Sequence, residues 1–155
     1  MRIGFFALLL TGAFAGALAP SLAAQPARAG ACHLSLRAEP DAQSFADAGR
    51  ATTLGRPAQL ATATGTVFAA AASHLCASGV VRAPNLARYN RLLVRNAEGA
   101  DSPNIYDDAE EQAGALIIEY AFADGGAPAQ AAVESALRCW RNPRGAGCSV
   151  EDVGP

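Results

Sequence analysis

The chain has 155 residues, twelve of them basic and fourteen acidic, for a formal net charge of -2 at pH 7. All twelve basic residues are arginine, and a balance tipped slightly to the acidic side supplies no basic field of the kind that nucleic-acid binders use against phosphate backbones. Nucleic acid is therefore not an expected partner, while 51% apolar residues are enough for one buried core.

The first 24 residues have the three parts of an export signal. Arg2 gives a positive start, Ile3 to Ala19 is an uncharged apolar run, and small residues from Ser21 to Ala24 form an Ala-x-Ala-like cleavage site. Ala27-Arg28-Ala29 is a second candidate. The apolar run is only about seventeen residues and is diluted by glycine, against the roughly 20 that a spanning helix needs. No stable membrane span is expected after cleavage. Cys32 follows small residues, as a lipidated cysteine would, but the apolar run ends about a dozen residues earlier. Acylating it would leave an odd number of thiols in an oxidising space. The expected organisation is a signal over 1–24, a flexible mature N-terminus over 25–31, one domain over 32–148 and a loose acidic tail over 149–155. The mature chain, about 130 residues, is one domain's worth. Its localisation is expected to be periplasmic or secreted, and the alanine-rich, lysine-free composition fits a GC-rich coding sequence of a Gram-negative bacterium.

Along the mature chain, Cys32-His33-Leu34-Ser35-Leu36-Arg37 alternates with a period of two and predicts a half-buried strand, which Glu39-Pro40-Asp41 should break. Ala42 to Ala48 suits a short helix, and Gly49 to Arg56 a loop. The clearest element is a helix over Pro57 to Ser78. Proline opens it, Leu60, Ala61, Thr64, Val67, Phe68, Ala71, Leu75 and Cys76 recur at three-and-four spacing, and Gly79 closes it. A helical turn is expected at Asn85 to Tyr89 and a strand over Arg91 to Asn96. A polar loop follows through Asn104.

The carboxylates of Asp107 to Gln112 read as a helix start, where the N-terminal dipole favours negative charge. Ala115 to Phe122, dense in β-branched and aromatic residues, is expected to be a strand, with a single helix over Asp107 to Phe122 as its rival. Pro128 opens a last helix with Val133, Leu137 and Trp140 along one face. The fold expected is α+β, a small antiparallel sheet from Cys32–Arg37, Arg91–Asn96 and Ala115–Phe122 covered by two helices and held by two disulfides. The alternative is an all-α disulfide-linked bundle.

Four cysteines, Cys32, Cys76, Cys139 and Cys148, allow three connectivities. Cys139 and Cys148 bracket Asn142-Pro143-Arg144-Gly145, which turns back on itself. That favours the pairs Cys139–Cys148 and Cys32–Cys76 over Cys76–Cys139 with Cys32–Cys148. Trp140, next to Cys139, is expected to pack over the bridge.

No spacing gathers metal ligands. Cys32 and His33 point to opposite faces of a strand, and His74 and Cys76 diverge on a helix. The acids Asp101, Asp107, Asp108, Glu110 and Glu111 lack the pattern of a calcium loop. No nucleophile motif and no phosphate loop appears, so no catalytic residue, metal or cofactor is expected. Arg88, Arg91 and Arg95 form a modest positive strip. The remaining candidates are the loop residues Asn96, Glu98, Asn104, Tyr106 and Asp107. The functional expectation is a non-enzymatic exported protein that binds another protein or an envelope component. A small hydrolase using His33 or His74, or a structural envelope component, are the alternatives.

Overall fold

The computed structural model describes residues 34, 36–47, 56–122 and 126–148. They form β1 (Arg37–Pro40), α1 (Ala42–Asp47), α2 (Pro57–Ala77), α3 (Ala83–Leu86), β2 (Arg91–Asn96), β3 (Asn104–Tyr106), β4 (Ala115–Tyr120) and α4 (Gln130–Arg141). The architecture is mixed α and β, and the all-helical alternative is overturned by the four-stranded sheet, ordered β1-β2-β4-β3. Most of the sheet is parallel, not antiparallel as expected. β1 pairs with β2 and β2 with β4 in the parallel sense, and only the edge strand β3 runs antiparallel to β4. The physical reason lies in the connections. α1, α2 and α3 form one long crossover from β1 to β2, which returns the chain to the same end of the sheet and makes the strands parallel. β4 then enters between β2 and β3.

The first strand also lies later than its alternation suggested. Among the described residues it covers Arg37–Pro40, whereas Cys32, His33 and Ser35 lie outside them. Pro40 does not break it, because β1 is an edge strand, where the lost N–H is tolerated. Asp41 carries the ladder one step on by donating its N–H to the Val94 carbonyl at 2.8 Å.

The two faces of the sheet differ. One carries Leu92, Val94, Ile105, Leu116 and Ile118, which share a buried cluster with Leu60, Phe68, Ala72 and Leu75 of α2 and Val133 and Leu137 of α4. By length and composition α2 could cross a membrane, yet its apolar stripe is core: Ala61, Ala71, Ala72 and Leu75 are fully buried. Its C-terminus is closed by a Schellman motif, in which Gly79 N–H meets the Cys76 carbonyl at 3.0 Å and Val80 N–H the Leu75 carbonyl at 2.9 Å. Gly79 has φ 74°, the left-handed conformation that glycine adopts without strain. This cap fixes where Val80 leaves the helix.

A second glycine sets how closely α2 approaches the sheet. A Cβ on Gly65 would lie 2.5 Å from the Ala38 Cβ of β1, and Ala38 has no flexible end to move aside. Alanine gains about 1 kcal/mol over glycine inside a helix, but overpacking costs about 1–3 kcal/mol. Gly65→Ala is therefore expected to be net destabilising, by about 1 kcal/mol. Adding Ala38→Gly should relieve the clash. Urea unfolding of the single and double variants checks this, and equal midpoints for both would show that the contact does not limit the approach.

Candidate functional site

The other face of the sheet is built from alternate residues of the same strands. Register places Glu39, Leu93, Ile117 and Tyr106 in one row and Arg95, Glu119 and Asn104 in the next. Leu93, Ala115 and Ile117 form a small buried cluster with Tyr106 against it. Around it runs a charge network: Arg95 donates from Nε to Asp41 at 2.8 Å, and from Nη1 to Tyr106 Oη at 2.9 Å and to Glu119 at 3.3 Å. Tyr106 Oη donates in turn to Glu119, and Arg91 pairs with Glu39 at 3.3 Å.

Burial works against the Arg95 charge, but the hydrogen bond to Asp41 and the facing Tyr106 and Glu119 outweigh it and raise its pKa. Tyr106 is pushed well above the usual phenol range, first by burial and then by its bond to Glu119. Arg91 and Arg95 are thus taken up internally, and Arg88 pairs with Asp107 at 3.1 Å. The positive strip expected from Arg88, Arg91 and Arg95 does not exist as a free surface.

The candidate loop residues are dispersed by the fold. Asn96 ends β2 and is structural: its N–H donates to Ser44 Oγ at 3.0 Å, and its Oδ1 accepts from the Phe122 N–H at 3.1 Å. Glu98 is exposed in a turn. Asn104 and Tyr106 belong to β3, an element the sequence did not suggest.

Asp107 turns to the opposite side, where it joins Arg88, Tyr89 and Trp140. Trp140 Nε1 donates to it at 3.4 Å, the Tyr89 and Trp140 rings stand 6.0 Å apart, and Arg88 lies over the Tyr89 ring at 4.7 Å. The ring partners of Trp140 are thus Tyr89 and Arg141. The segment from Asp107 to Gln112 is a set of turns, not a helix, because the Asp108 carboxylate accepts the N–H groups of Glu110 and Glu111 locally.

Burial, followed by the bond to Asp107, pushes the Tyr89 phenol up to about 12 against the lowering effect of Arg88. A raised folded-state pKa means the contribution is fully present below the unfolded value, about 10 for tyrosine. It is lost as pH rises toward 12. Alkaline titration of the tyrosinate absorbance should therefore show Tyr89 and Tyr106 ionising late, with stability declining in the same window. Early ionisation of both would contradict this packing.

His74 does not assemble a catalytic constellation among the described residues. Its Nδ1 meets Glu134 Oε1 at 2.9 Å, but its side chain is 62% exposed. Glu134 is held below the usual carboxylate range first by its bond from Gln130 and then by His74. His33 lies outside the described residues. No group of three or more metal-ligating side chains occurs among the described residues.

A different place gathers arginines outside these salt bridges. A cavity of about 500 Å³ is lined by Val80, Arg82, Asn85, Arg138, Arg141 and Asn142, with Gly145, Ala146 and Cys148 completing its wall. Arg82 comes from the extended residue before α3. Arg138 and Arg141, three apart in the last turn of α4, share a helix face. Among the described residues no carboxylate lines the cavity and none forms a salt bridge to these three arginines, although Glu134 feels the charge of Arg138 and Arg141 lies over the Trp140 ring.

No family model, curated protein or solved structure matches this chain.

The wall contributed by residues 142–148 is held by a disulfide and backbone hydrogen bonds. Cys139 and Cys148 form a disulfide with a Cα–Cα separation of 5.4 Å, as the turn residues between them suggested, and this overturns the alternative pair Cys76–Cys139. Inside the closed loop, Gly145 N–H donates to the Asn142 carbonyl at 2.8 Å and Cys148 N–H to the Gly145 carbonyl at 3.2 Å. One bridge, Cys139–Cys148, therefore has both cysteines among the described residues, where two were expected. Cys76 is buried and disulfide-bonded, and its expected partner Cys32 lies outside the described residues. Sequence reasoning missed the cavity because Arg82 and Arg138 are far apart in the chain. The signal within reach was the pair Arg138 and Arg141 just ahead of a disulfide-closed turn.

Proposed function

We propose that this chain is an exported, non-enzymatic binding protein that holds an anionic group of its partner, an envelope component or another protein, in the arginine-lined cavity. The observation that carries the reading is the division of the arginines. Arg88, Arg91 and Arg95 are neutralised by carboxylates, whereas Arg82, Arg138 and Arg141 line a cavity to which no carboxylate of the described residues contributes. A buried or paired charge serves the fold; unpaired like charges around a concavity repel one another unless an anion is present. The helix-dipole role open to basic residues in a last turn accounts for Arg138 and Arg141 but not for Arg82.

Export rests on the leader composition and on the Cys139–Cys148 bridge, which suits an oxidising compartment. The same reasoning gives Cys32 to Cys76 as the second bridge. Peptide mapping without reductant would return that pair, and a Cys32–Cys148 link would refute it.

Ligand binding at roughly 100 times Kd adds about 2.7 kcal/mol to stability. Millimolar citrate, sulfate and phosphate are expected to raise the unfolding midpoint above that in chloride of equal ionic strength. The combined variant Arg82→Gln, Arg138→Gln, Arg141→Gln should lose most of the gain. Sulfate and phosphate also stabilise folded proteins non-specifically, so the difference between the two proteins is the readout. Equal gains in both would refute the reading.

A further inference from the structure

Resting on that reading, we infer that the group held in the cavity is a phosphomonoester on a small organic body, not a carboxylate. Three arginines line one space, and a tetrahedral phosphoryl group offers three strong acceptor oxygens and a charge of about -1.5 to -2 at neutral pH. A carboxylate has one planar edge suited to a single fork and a charge of only about -1, which leaves most of the positive charge of Arg82, Arg138 and Arg141 uncompensated. The side-chain amides of Asn85 and Asn142 add neutral donors at the same wall.

The volume requires more than a bare ion. About 500 Å³ falls within the roughly 300–1,000 Å³ typical of small-molecule sites. Val80, 41% exposed, gives the rest of the ligand an apolar surface, and the α2 cap described above fixes its position. The loop closed by Cys139–Cys148 contributes Gly145 and Ala146 to the lining, and both have little bulk to obstruct the space. A wall set in place before binding loses less freedom on binding.

Among the described residues the cavity lining contains neither an imidazole nor a carboxylate, and arginine stays charged throughout the accessible pH range. Any pH dependence between neutrality and mild acid is therefore the ligand's own. A phosphomonoester takes up its second proton near pH 6, whereas a carboxylate with a pKa near 4 does not change over that range.

Calorimetric titration of the folded, oxidised protein with phenyl phosphate, and separately with benzoate, tests the inference. Phenyl phosphate is expected to bind about tenfold or more tightly than benzoate, and its affinity should fall as pH drops through about 6. Arg82→Gln and Arg138→Gln should each weaken it by about tenfold. Arg37→Gln removes an exposed arginine outside the cavity that forms no salt bridge among the described residues and should leave it unchanged.

Benzoate binding as tightly as phenyl phosphate would overturn the phosphoryl assignment while leaving an anion site in place. Failure of both ligands would overturn the anion site itself, as would binding of phenyl phosphate that is indifferent to Arg82 and Arg138. Vesicles containing phosphatidic acid form a further arm. Binding to them, lost in Arg138→Gln, together with weak binding of phenyl phosphate, would assign the same phosphomonoester chemistry to a lipid headgroup.

Discussion

Phe68→Ala is expected to lower the stability of the domain by about 3–5 kcal/mol. Phe68 is 1% exposed and sits where α2 meets the sheet, in one buried cluster with Leu92, Val94, Leu116 and Ile118. Its neighbours cannot close the space easily. They are anchored in a parallel ladder or on a long helix already drawn close to β1 at Gly65. The loss is a large share of the roughly 5–15 kcal/mol that holds a typical domain folded. The effect should extend to the site, because Val80 leaves the same helix directly after its cap. Urea unfolding would measure the loss. A cost below about 1 kcal/mol would mean that α2 does not pack on the sheet as described.

Removal of the Cys139–Cys148 bridge, by Cys139→Ser with Cys148→Ser, is expected to cost about 2.7 kcal/mol from loop-closure entropy, given a sequence separation of 9. For a domain of this size that lowers the unfolding midpoint by roughly 10 °C. A structural staple elsewhere would do no more than this. Here the bridge also fixes the wall made by Gly145, Ala146 and Cys148, so the double serine variant should lose affinity for phenyl phosphate at temperatures where it remains folded. Circular dichroism and calorimetry on the same sample separate the two effects. Unchanged affinity in the folded variant would show that the loop does not shape the site.

The elements that were legible in the sequence are those where periodicity and punctuation agree. Pro57 and Gly79 bracket α2 nearly to the residue, and the apolar runs of β2 and β4 were placed correctly. What periodicity cannot supply is the direction of a neighbouring strand, and the sheet was expected to be antiparallel for that reason. A signal was nevertheless present. Leu92, Leu93 and Val94, like Ala115 to Ile118, are buried on successive residues, and continuous rather than alternating burial is the mark of parallel strands.

β3 went unnoticed because three residues inside a polar loop carry almost no pattern. The acids at Asp107 to Glu111 read as a helix start because a carboxylate capping a turn and one capping a helix look alike in sequence. The site was harder still to see. Arg82 and the pair Arg138 and Arg141 meet only through the packing of α2 and α4 and the closure of the C-terminal loop. The strip Arg88, Arg91 and Arg95, conspicuous in the sequence, is neutralised by Asp107, Glu39, Asp41 and Glu119.

The difference between the salt-bridged arginines and those of the cavity can be observed directly. In a nitrogen–proton correlation spectrum of the isotope-labelled, oxidised protein, added phenyl phosphate should shift the guanidinium Nε–H signals of Arg82, Arg138 and Arg141. Those of Arg91 and Arg95 should stay in place. Shifts confined to Arg91 and Arg95, or no saturable shift at any arginine, would contradict the cavity as the binding site.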